Sequence, residues 1–278
     1  MKIKHYLYNS FVIESGDKKI AIDPGGLFLY YFRMTTLIPK SEWNDITHIF
    51  ITHGDPDHYW HMDRVAKASN AAIICNRNMV KNVNGKLLML GPRNKGLGFT
   101  KEMKNVHTLS VNQTVQLDDM TITGLKAVHG PVTLKIGPIK KTEHPGPEER
   151  VGWGAIGFKI ELNGSTIVNL GDTLLHLEDW QALKNADVLI LPIGGREAYN
   201  TMDETEALQA IKGLKPKVVI PCHYNVPAFF TKEYCKADEA MFKIQVEKLG
   251  SDCRILKYGD EIEVYRKGTA PDIAHLKK

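Results

Sequence analysis

The sequence predicts an α/β fold in which two packed sheets carry helices on both outer faces. Short apolar runs rich in β-branched residues, such as Ile49–Thr52 and Val218–Pro221, are typical of buried strands. Segments with helical periodicity, such as Tyr59–Asn70 and Asp203–Gly213, alternate with these runs. Both halves of the chain pair strands with helices in this way, which indicates a weak structural duplication.

The composition fits one globular domain. With 278 residues and a hydrophobic fraction of 43%, the chain can build a sizeable core, and we expect a single domain over 1–278 with a loose tail at about 267–278. A net charge of +4 gives no argument for nucleic acid. Neither a signal-peptide core nor an apolar run of ~20 residues is present, and the four cysteines form no Cys-x-x-Cys pair. We therefore expect a cytoplasmic protein with reduced thiols, away from membranes.

The predicted strands end at turn residues. Gly16 and Asp17 connect an early hairpin, and Asn163 and Gly164 connect a later one. We expect Val106–Leu109 to join the second sheet. The other predicted strands in chain order are Ile3–Tyr8, Phe11–Ser15, Lys19–Asp23, Ile49–Thr52, Ala71–Cys75, Val115–Leu117, Met120–Val128, Trp153–Leu162, Thr166–Leu170, Val188–Pro192, Val218–Pro221, Arg254–Lys257 and Glu261–Tyr265.

Periodicity places helices between several of these strands. The aromatic segment Leu27–Ile38 is compatible with a packed helix or with a flap over a site. Lys86–Lys104, which contains Gly-Pro and Gly-Leu-Gly, is typical of an irregular surface loop. Residues 131–150 form a second irregular segment, either a functional lid or a solvated loop. The predicted helices are Tyr59–Asn70, Asn76–Val83, Leu174–Leu183, Asp203–Gly213 and Ala237–Leu249.

The central predicted strand ends in a polar loop with metal-ligand chemistry. Four candidate ligands lie within six positions, namely His53, Asp55, Asp57 and His58. Two carboxylates crowded so closely would repel each other without a cation between them. Imidazole and carboxylate together suit zinc, manganese or iron. The alternative is a polar turn with two unrelated histidines.

Three more candidate ligands stand at the ends of later predicted strands. They are His129 in Ala-Val-His-Gly, Asp172 in Asn-Leu-Gly-Asp-Thr and His223 in Ile-Pro-Cys-His-Tyr. A lone core histidine is the alternative for His129, and a helix N-cap is the alternative for Asp172. Their repeated strand-end position favours a shared site at one edge of the sheets.

These motifs, in this order, resemble those of the metallo-β-lactamase superfamily, which carries His-x-His-x-Asp-His on its first ligand loop. The line here is His53-Gly-Asp55-Pro-Asp57-His58, so aspartate replaces the second histidine. The stretch Asp187–Tyr224 further resembles the ascorbate-6-phosphate-lactonase-like branch. The resemblance covers most of Ile3–Val264 and implies a four-layer αββα sandwich with two mixed sheets.

The resemblance also implies two divalent metal ions, with zinc expected first and manganese or iron as alternatives. His53, Asp55 and His129 would hold one ion, and Asp172 would bridge to the other. The second ion would be held by Asp57, His58 and His223. The implied function is a metal-dependent hydrolase whose metal-bound hydroxide attacks the substrate. Asp57 would be the catalytic residue that takes up the proton of the attacking water.

We expect the substrate to be a small ester, lactone or phosphoester with an anionic group. The expected anionic group follows from cations that come after the ligand motifs, namely Lys135, Lys140, Lys141, Arg150 and Arg196. The candidate substrate-binding residues are Lys141, His144, Arg196 and Tyr224. We expect neither nucleic acid nor membrane as partner, and homo-oligomerisation is compatible with the sequence.

Other functions fit the same ligand set. A phosphodiesterase or nuclease would share the fold, but the chain contains no long insert between the late ligands. Di-iron redox relatives also replace the second histidine by a carboxylate, yet they normally carry a flavin domain for which this length leaves no room. A non-catalytic metal-binding module is disfavoured because every ligand position holds a competent residue.

Overall fold

The computed structural model describes residues 1–29, 33–83, 86–89, 101–136, 139–146, 151–226 and 234–265. The strands in chain order are β1 (Lys2–His5), β2 (Phe11–Ser15), β3 (Lys18–Ile22), β4 (Gly26–Leu29), β5 (Arg33–Thr36), β6 (His48–Ile51), β7 (Ala72–Asn76), β8 (Val80–Val83), β9 (Lys86–Met89), β10 (Lys101–Met103), β11 (Val106–Leu109), β12 (Thr114–Leu117), β13 (Met120–Leu125), β14 (Val132–Ile136), β15 (Ile139–Glu143), β16 (Gly157–Leu162), β17 (Ser165–Asn169), β18 (Val188–Pro192), β19 (Val218–Cys222), β20 (Asp252–Cys253) and β21 (Glu261–Glu263). The helices are α1 (Pro56–Tyr59), α2 (Met62–Ser69), α3 (Gly195–Ala198), α4 (Glu204–Leu214) and α5 (Glu239–Lys248).

Two seven-stranded mixed sheets form the framework. The first has the order β11-β7-β6-β3-β2-β1-β21 and the second the order β12-β13-β16-β17-β18-β19-β20. In the first sheet β3, β6, β7 and β11 run parallel, and in the second β17 to β20 run parallel. Because β13 and β17 are both antiparallel to β16, they also run in the same direction. The carboxyl ends of the ligand-bearing strands within each sheet therefore lie at one edge.

Three layers of apolar packing hold the sheets and helices together. The inter-sheet core includes Ile13, Ile22 and Phe50 from the first sheet and Phe158 and Ile190 from the second. Phe50 and Phe158 meet edge to face across it, with their ring centroids 5.1 Å apart. A second cluster packs α2 on the outer face of the first sheet, and a third packs α4 and α5 on the outer face of the second. The predicted αββα layering is confirmed.

Several predicted elements take a different form. Leu27–Ile38 is not a helix within its described residues, because β4 and β5 form a hairpin that contacts α1. The predicted helix at Asn76–Val83 is a single 3₁₀ turn followed by β8. The 86–104 loop contains β9 and β10, while residues 90–100 lie outside the described part. Within the predicted irregular segment 131–150, Val132–Ile136 and Ile139–Glu143 pair as the hairpin β14–β15, whose alternating apolar positions are typical of strands.

Long-range contacts explain why two further predictions, one of a helix and one of a sheet assignment, are wrong. Leu174–Leu183 contains only a 3₁₀ turn, because the Leu174 amide bonds the Val128 carbonyl and the Trp180 indole bonds the Lys126 carbonyl. The strand β11 joins the first sheet beside β7 rather than the second sheet. The local pattern of Val106–Leu109 predicts a strand, but it does not identify the sheet that this strand joins. The predicted loose tail at 267–278 lies outside the described residues.

Among the described residues, no helix combines the length and the apolar character that crossing a membrane requires.

We predict that Phe158→Ala will lower the free energy of unfolding by about 3–5 kcal/mol, because it leaves a cavity between the sheets. Urea unfolding of the metal-free protein measures this change without a contribution from bound metal. Ile244→Ala is the control, since Ile244 is 47% exposed and its truncation should change stability by no more than ~0.5 kcal/mol. A loss of less than ~1 kcal/mol in Phe158→Ala would contradict this account of the core.

Candidate metal centre

The side chains predicted as ligands come together at one edge of the two sheets. His53 follows β6, His129 follows β13, Asp172 follows β17 and His223 follows β19. Asp55 stands immediately before α1, and Asp57 and His58 lie within it. Together these residues form three overlapping groups, in each of which the candidate ligand atoms lie within 4.8 Å of one another.

The first group consists of His53, Asp55 and His129. Asp55 Oδ2 lies 3.3 Å from His53 Nε2 and 3.8 Å from His129 Nε2. The backbone N–H of Gly152 donates a hydrogen bond of 3.2 Å to the same oxygen. Asp55 therefore faces the two imidazoles and also anchors the loop that contains Gly152.

The second group consists of Asp57, His58 and His223. Asp57 Oδ2 lies 3.4 Å from His58 Nε2 and 3.6 Å from His223 Nε2. Both histidines are almost completely buried, whereas the Asp57 side chain is 28% exposed. Asp57 is thus the member of this group that solvent or a small molecule can reach.

Asp172 lies between the two groups. Its Oδ2 atom is 2.9 Å from His223 Nε2, 3.5 Å from His58 Nε2 and 3.7 Å from His129 Nε2. One buried carboxylate oxygen therefore contacts imidazoles from both sides of the site. This position is the one that a carboxylate bridging two cations would occupy.

A buried carboxylate beneath the site orients His58. Asp23 Oδ2 accepts hydrogen bonds from His58 Nδ1 at 2.8 Å, Thr52 Oγ1 at 2.6 Å and Asn9 Nδ2 at 2.7 Å. Asp23 Oδ1 accepts another from the Thr52 amide at 2.8 Å. With its proton on Nδ1, the His58 ring directs the lone pair of Nε2 towards the cluster. Asp23 therefore supports the cluster from below by holding the His58 ring in place.

Close backbone contacts fix His129. Its Nδ1 donates to the Gly130 carbonyl at 2.6 Å, and the Gly130 amide donates to the Asn200 carbonyl at 2.7 Å. Gly152 has a φ of +65°, and a Cβ at this residue would stand 2.3 Å from His129 Cβ. A side chain at Gly152 would therefore displace the imidazole.

The cluster has strongly perturbed protonation. Burial disfavours the charged ring of His58, but the carboxylates of Asp57 and Asp172 outweigh burial and hold the His58 pKa well above its usual value. At His223 burial is likewise outweighed, chiefly by Asp172, and the pKa is raised well above its usual value. Burial opposes ionisation of Asp57 and Asp172, yet these imidazoles keep both carboxyl pKa values well below their usual range.

The donor set fits divalent metal ions. Buried atoms without a hydrogen-bond partner among the described residues include His53 Nε2, His58 Nε2, Asp55 Oδ1 and Asp172 Oδ1. Buried polar atoms are normally satisfied, so four such atoms in one cluster indicate an absent partner. Imidazole nitrogen and carboxylate oxygen are ligands of zinc, manganese and iron. A cation would satisfy these atoms and offset the repulsion among the carboxylates.

The comparisons with known proteins agree with this geometry. A family model described as a β-lactamase superfamily domain matches residues 2–223. A UPF0173 metal-dependent hydrolase of Alkaliphilus metalliredigens is 31% identical over 248 residues, which cover 89% of this chain and 93% of that protein. A second one, from Nanoarchaeum equitans, is 30% identical over 95% of this chain and 100% of its own length.

This chain belongs to the metallo-β-lactamase superfamily. It is a metal-dependent hydrolase, like the relatives that it matches over nearly their whole length.

Two solved structures show a similar fold. The metallo hydrolase Igni18 of Ignicoccus hospitalis superposes with a TM-score of 0.66 at 22% identity, covering 94% of this chain and 97% of that one. The diiron β-hydroxylase CmlA of Streptomyces venezuelae superposes with a TM-score of 0.62 at 12% identity, covering 94% of this chain and 53% of that one. At these identities both likenesses concern the fold alone.

A cleft of about 290 Å³ opens over the candidate metal ligands of this superfamily member. Tyr8 stands at one side, where its ring meets the His223 ring edge-on with the centroids 5.3 Å apart. The described residues that line the cleft are Tyr8, Asp55, Pro56, Asp57, His129, Val132, Glu143, Val151, Asp172, Asn200, His223 and Tyr234.

The four residues predicted to bind substrate do not appear in this lining. Lys141 is exposed and forms an ion pair of 2.7 Å with Glu143. Arg196 points to Glu204, which accepts a hydrogen bond of 3.2 Å from its Nε atom. His144 is exposed, and Tyr224 packs in the core under α4 and α5. The side chains of Lys135, Lys140 and Arg150 lie outside the described part, so the described cleft gives no support to an anionic substrate.

Sequence reasoning missed the residues that surround the candidate metal ligands in the cleft. Tyr8 had a similar signal, because it is the last residue of the predicted strand Ile3–Tyr8. Glu143 and Val132 become visible once residues 132–143 are recognised as a hairpin. Asn200 and Tyr234 lie in irregular segments and have no local motif that would identify them.

We predict that metal uptake at neutral pH releases about two protons, because the raised pKa values of His58 and His223 keep both rings protonated in the metal-free protein. Only deprotonated rings bind metal, so affinity should rise with pH until these pKa values are passed. Calorimetric zinc titration in two buffers of different ionisation enthalpy counts the protons. His107→Gln on the edge strand β11 is the control, and equal heats in both buffers for the wild type would contradict the prediction.

Proposed function

We propose that this hydrolase cleaves an ester, lactone or phosphoester of a small molecule at a centre of two divalent metal ions. His53, Asp55 and His129 would hold one ion, and Asp57, His58 and His223 would hold the other. Asp172 would contact both. The observation that carries this proposal is the position of Asp172 Oδ2, within 3.7 Å of imidazoles from both groups.

A bound metal pair supplies activation of water and polarisation of the scissile carbonyl or phosphoryl oxygen. The protein's own residues supply the geometry. Asp23 fixes the ring of His58, and the Gly130 carbonyl fixes the ring of His129. Asp57 lines the cleft with a partly exposed carboxylate, which supports the proposal that it would accept the proton of the attacking water.

Hydrolysis is favoured over di-iron redox chemistry by the relatives. The two relatives described above, which are 31% and 30% identical, are called metal-dependent hydrolases, and the alignments cover at least 93% of their lengths. This chain covers only 53% of the diiron β-hydroxylase CmlA. The carboxylate at Asp55 is compatible with iron, yet it does not itself favour a redox reaction.

We expect Asp172→Ala to lose at least about 10²-fold in metal-dependent ester or phosphoester hydrolysis, because the shared carboxylate is removed. Metal content after dialysis should fall below that of the wild type, while the circular dichroism spectrum stays unchanged. Asp179→Ala is the matched control, since Asp179 is an exposed aspartate paired with Lys126. Full metal content together with full activity in Asp172→Ala would refute the bridging role.

Substitution of Asp55 tests the metal preference of the first group. Aspartate adds a negative charge and an oxygen donor where the resembling motif has histidine, which shifts preference towards manganese or iron and weakens the Lewis acidity of the ion. An alternative is that the first group holds its ion only loosely. Both readings predict that Asp55→His raises zinc affinity at this position, by about tenfold or more.

Zinc titration of wild type, Asp55→His and Asp55→Asn measures this effect. Asp55→Asn keeps an acceptor for the Gly152 amide but removes the charge, so it separates loop anchoring from metal ligation. Metal analysis after growth in mixed metals gives the preference of the wild type. If the wild type already binds two zinc ions as tightly as Asp55→His, Asp55 does not tune the metal.

A further inference from the structure

The cleft contains a buried hydrogen-bond acceptor that nothing in the described protein uses. Asn200 is 4% exposed and lines the cleft, and its Oδ1 atom has no partner among the described residues. A buried amide oxygen left unpaired destabilises the protein unless a ligand or water satisfies it. Asn200 is not a candidate metal ligand, so its partner belongs to whatever occupies the rest of the cleft.

A second acceptor, the carboxylate of Glu143, stands on the same side of the cleft as Asn200. The Gly130 amide bonds the Asn200 carbonyl, and Val132, two residues further on, pairs with Glu143 in the β14–β15 hairpin. Val132 and Glu143 both line the cleft. Glu143 and Asn200 are thus joined through one short backbone segment that begins at His129.

The opposite side of the cleft is aromatic. Tyr8 lies against the ring of His223, and Tyr234 packs with it around Val226. Neither tyrosine adds a charge. The cleft therefore has an acceptor side next to His129 and an apolar side next to His223, with Asp172 between them.

Glu143 is the one carboxylate of the described lining that is not a candidate metal ligand. Asp55, Asp57 and Asp172 would face the ions that they hold, and none of the described lining residues is lysine or arginine. Glu143 is paired with Lys141, whose side chain is 63% exposed, and such an exposed pair contributes little stability. The carboxylate of Glu143 is therefore available to a cationic group that enters the cleft.

We propose that Glu143 and Asn200 form a specificity site for an ammonium group of the substrate, with the apolar part of the substrate against Tyr8 and Tyr234. The ammonium donates to the Glu143 carboxylate and to Asn200 Oδ1. The scissile group then lies over Asp172, between the two sides. This inference builds on the proposed function, because it assigns the substrate class of the same site.

The hydrolytic test uses two matched aryl esters, 6-aminohexanoate and heptanoate, which differ by an ammonium in place of a terminal methyl. We expect the zinc-loaded wild type to prefer the ammonium ester in kcat/KM by about tenfold. Glu143→Gln should reduce this preference about fivefold, and Asn200→Leu should reduce it about threefold. Asn200→Asp keeps an acceptor and should retain the preference.

Glu161→Gln is the matched control, because Glu161 is an exposed carboxylate of β16 paired with Lys159 and stands outside the cleft lining. It should leave the preference unchanged. A purely structural role of Glu143 or Asn200 would change the rates for both esters equally and leave their ratio as it is in the wild type. That outcome, or a wild type without preference, would overturn the inference.

A binding measurement separates this inference from the proposed function. Ligand-observed NMR titration compares hexylammonium with hexanol as probes, neither of which is hydrolysed. We expect hexylammonium to bind the zinc-loaded wild type more tightly than hexanol, and this difference to disappear in Glu143→Gln but not in Glu161→Gln. If both esters, together with matched lactone and phosphoester substrates, resist hydrolysis while the binding preference holds, the proposed function fails and the ammonium site stands. If the probes bind equally, the ammonium site is overturned.

Discussion

The arrangement of the site depends on one buried carboxylate, Asp23. It has a left-handed backbone with φ of 45°, is fully buried, and accepts hydrogen bonds from Asn9, Thr52 and His58. A buried carboxylate without hydrogen-bond donors would strongly destabilise the folded protein, so the positions of these three donors are tightly constrained. Asn9 also exchanges side-chain hydrogen bonds with Asn169 at the end of β17. Asp23 thereby links the first ligand loop to the second sheet.

The convergence of the candidate ligands at one edge could be predicted from the sequence, because His53, Asp172 and His223 each stand just after an apolar run typical of a buried strand. Asp172 and His223 come together because β17, β18 and β19 run parallel, so that their carboxyl ends lie at one edge. Asp23 was harder to assign, because a turn residue and a supporting carboxylate have the same local sequence. Its four hydrogen bonds become apparent only when β3 and β6 are neighbours.

The substrate-facing part of the cleft could not be predicted in this way. Charge composition placed cations near the site, yet Lys141 and Arg196 are held by Glu143 and Glu204 in ion pairs that depend on tertiary structure. Asn200 reaches the cleft through the backbone contact between its carbonyl and Gly130. A Cβ at Gly130 would lie 2.0 Å from the Tyr199 carbonyl oxygen, so this approach also requires glycine. Such contacts leave no periodic signal in the sequence.

Opposite charges neutralise one another inside the cluster. The carboxylates of Asp57 and Asp172 hold the pKa values of His58 and His223 well above their usual range, and these rings in turn keep both carboxyl pKa values low. His129 differs, since burial and the neighbouring ring of His53 lower its pKa. Because only deprotonated rings bind metal, ligation by His58 and His223 requires the loss of a proton, whereas ligation by His129 does not.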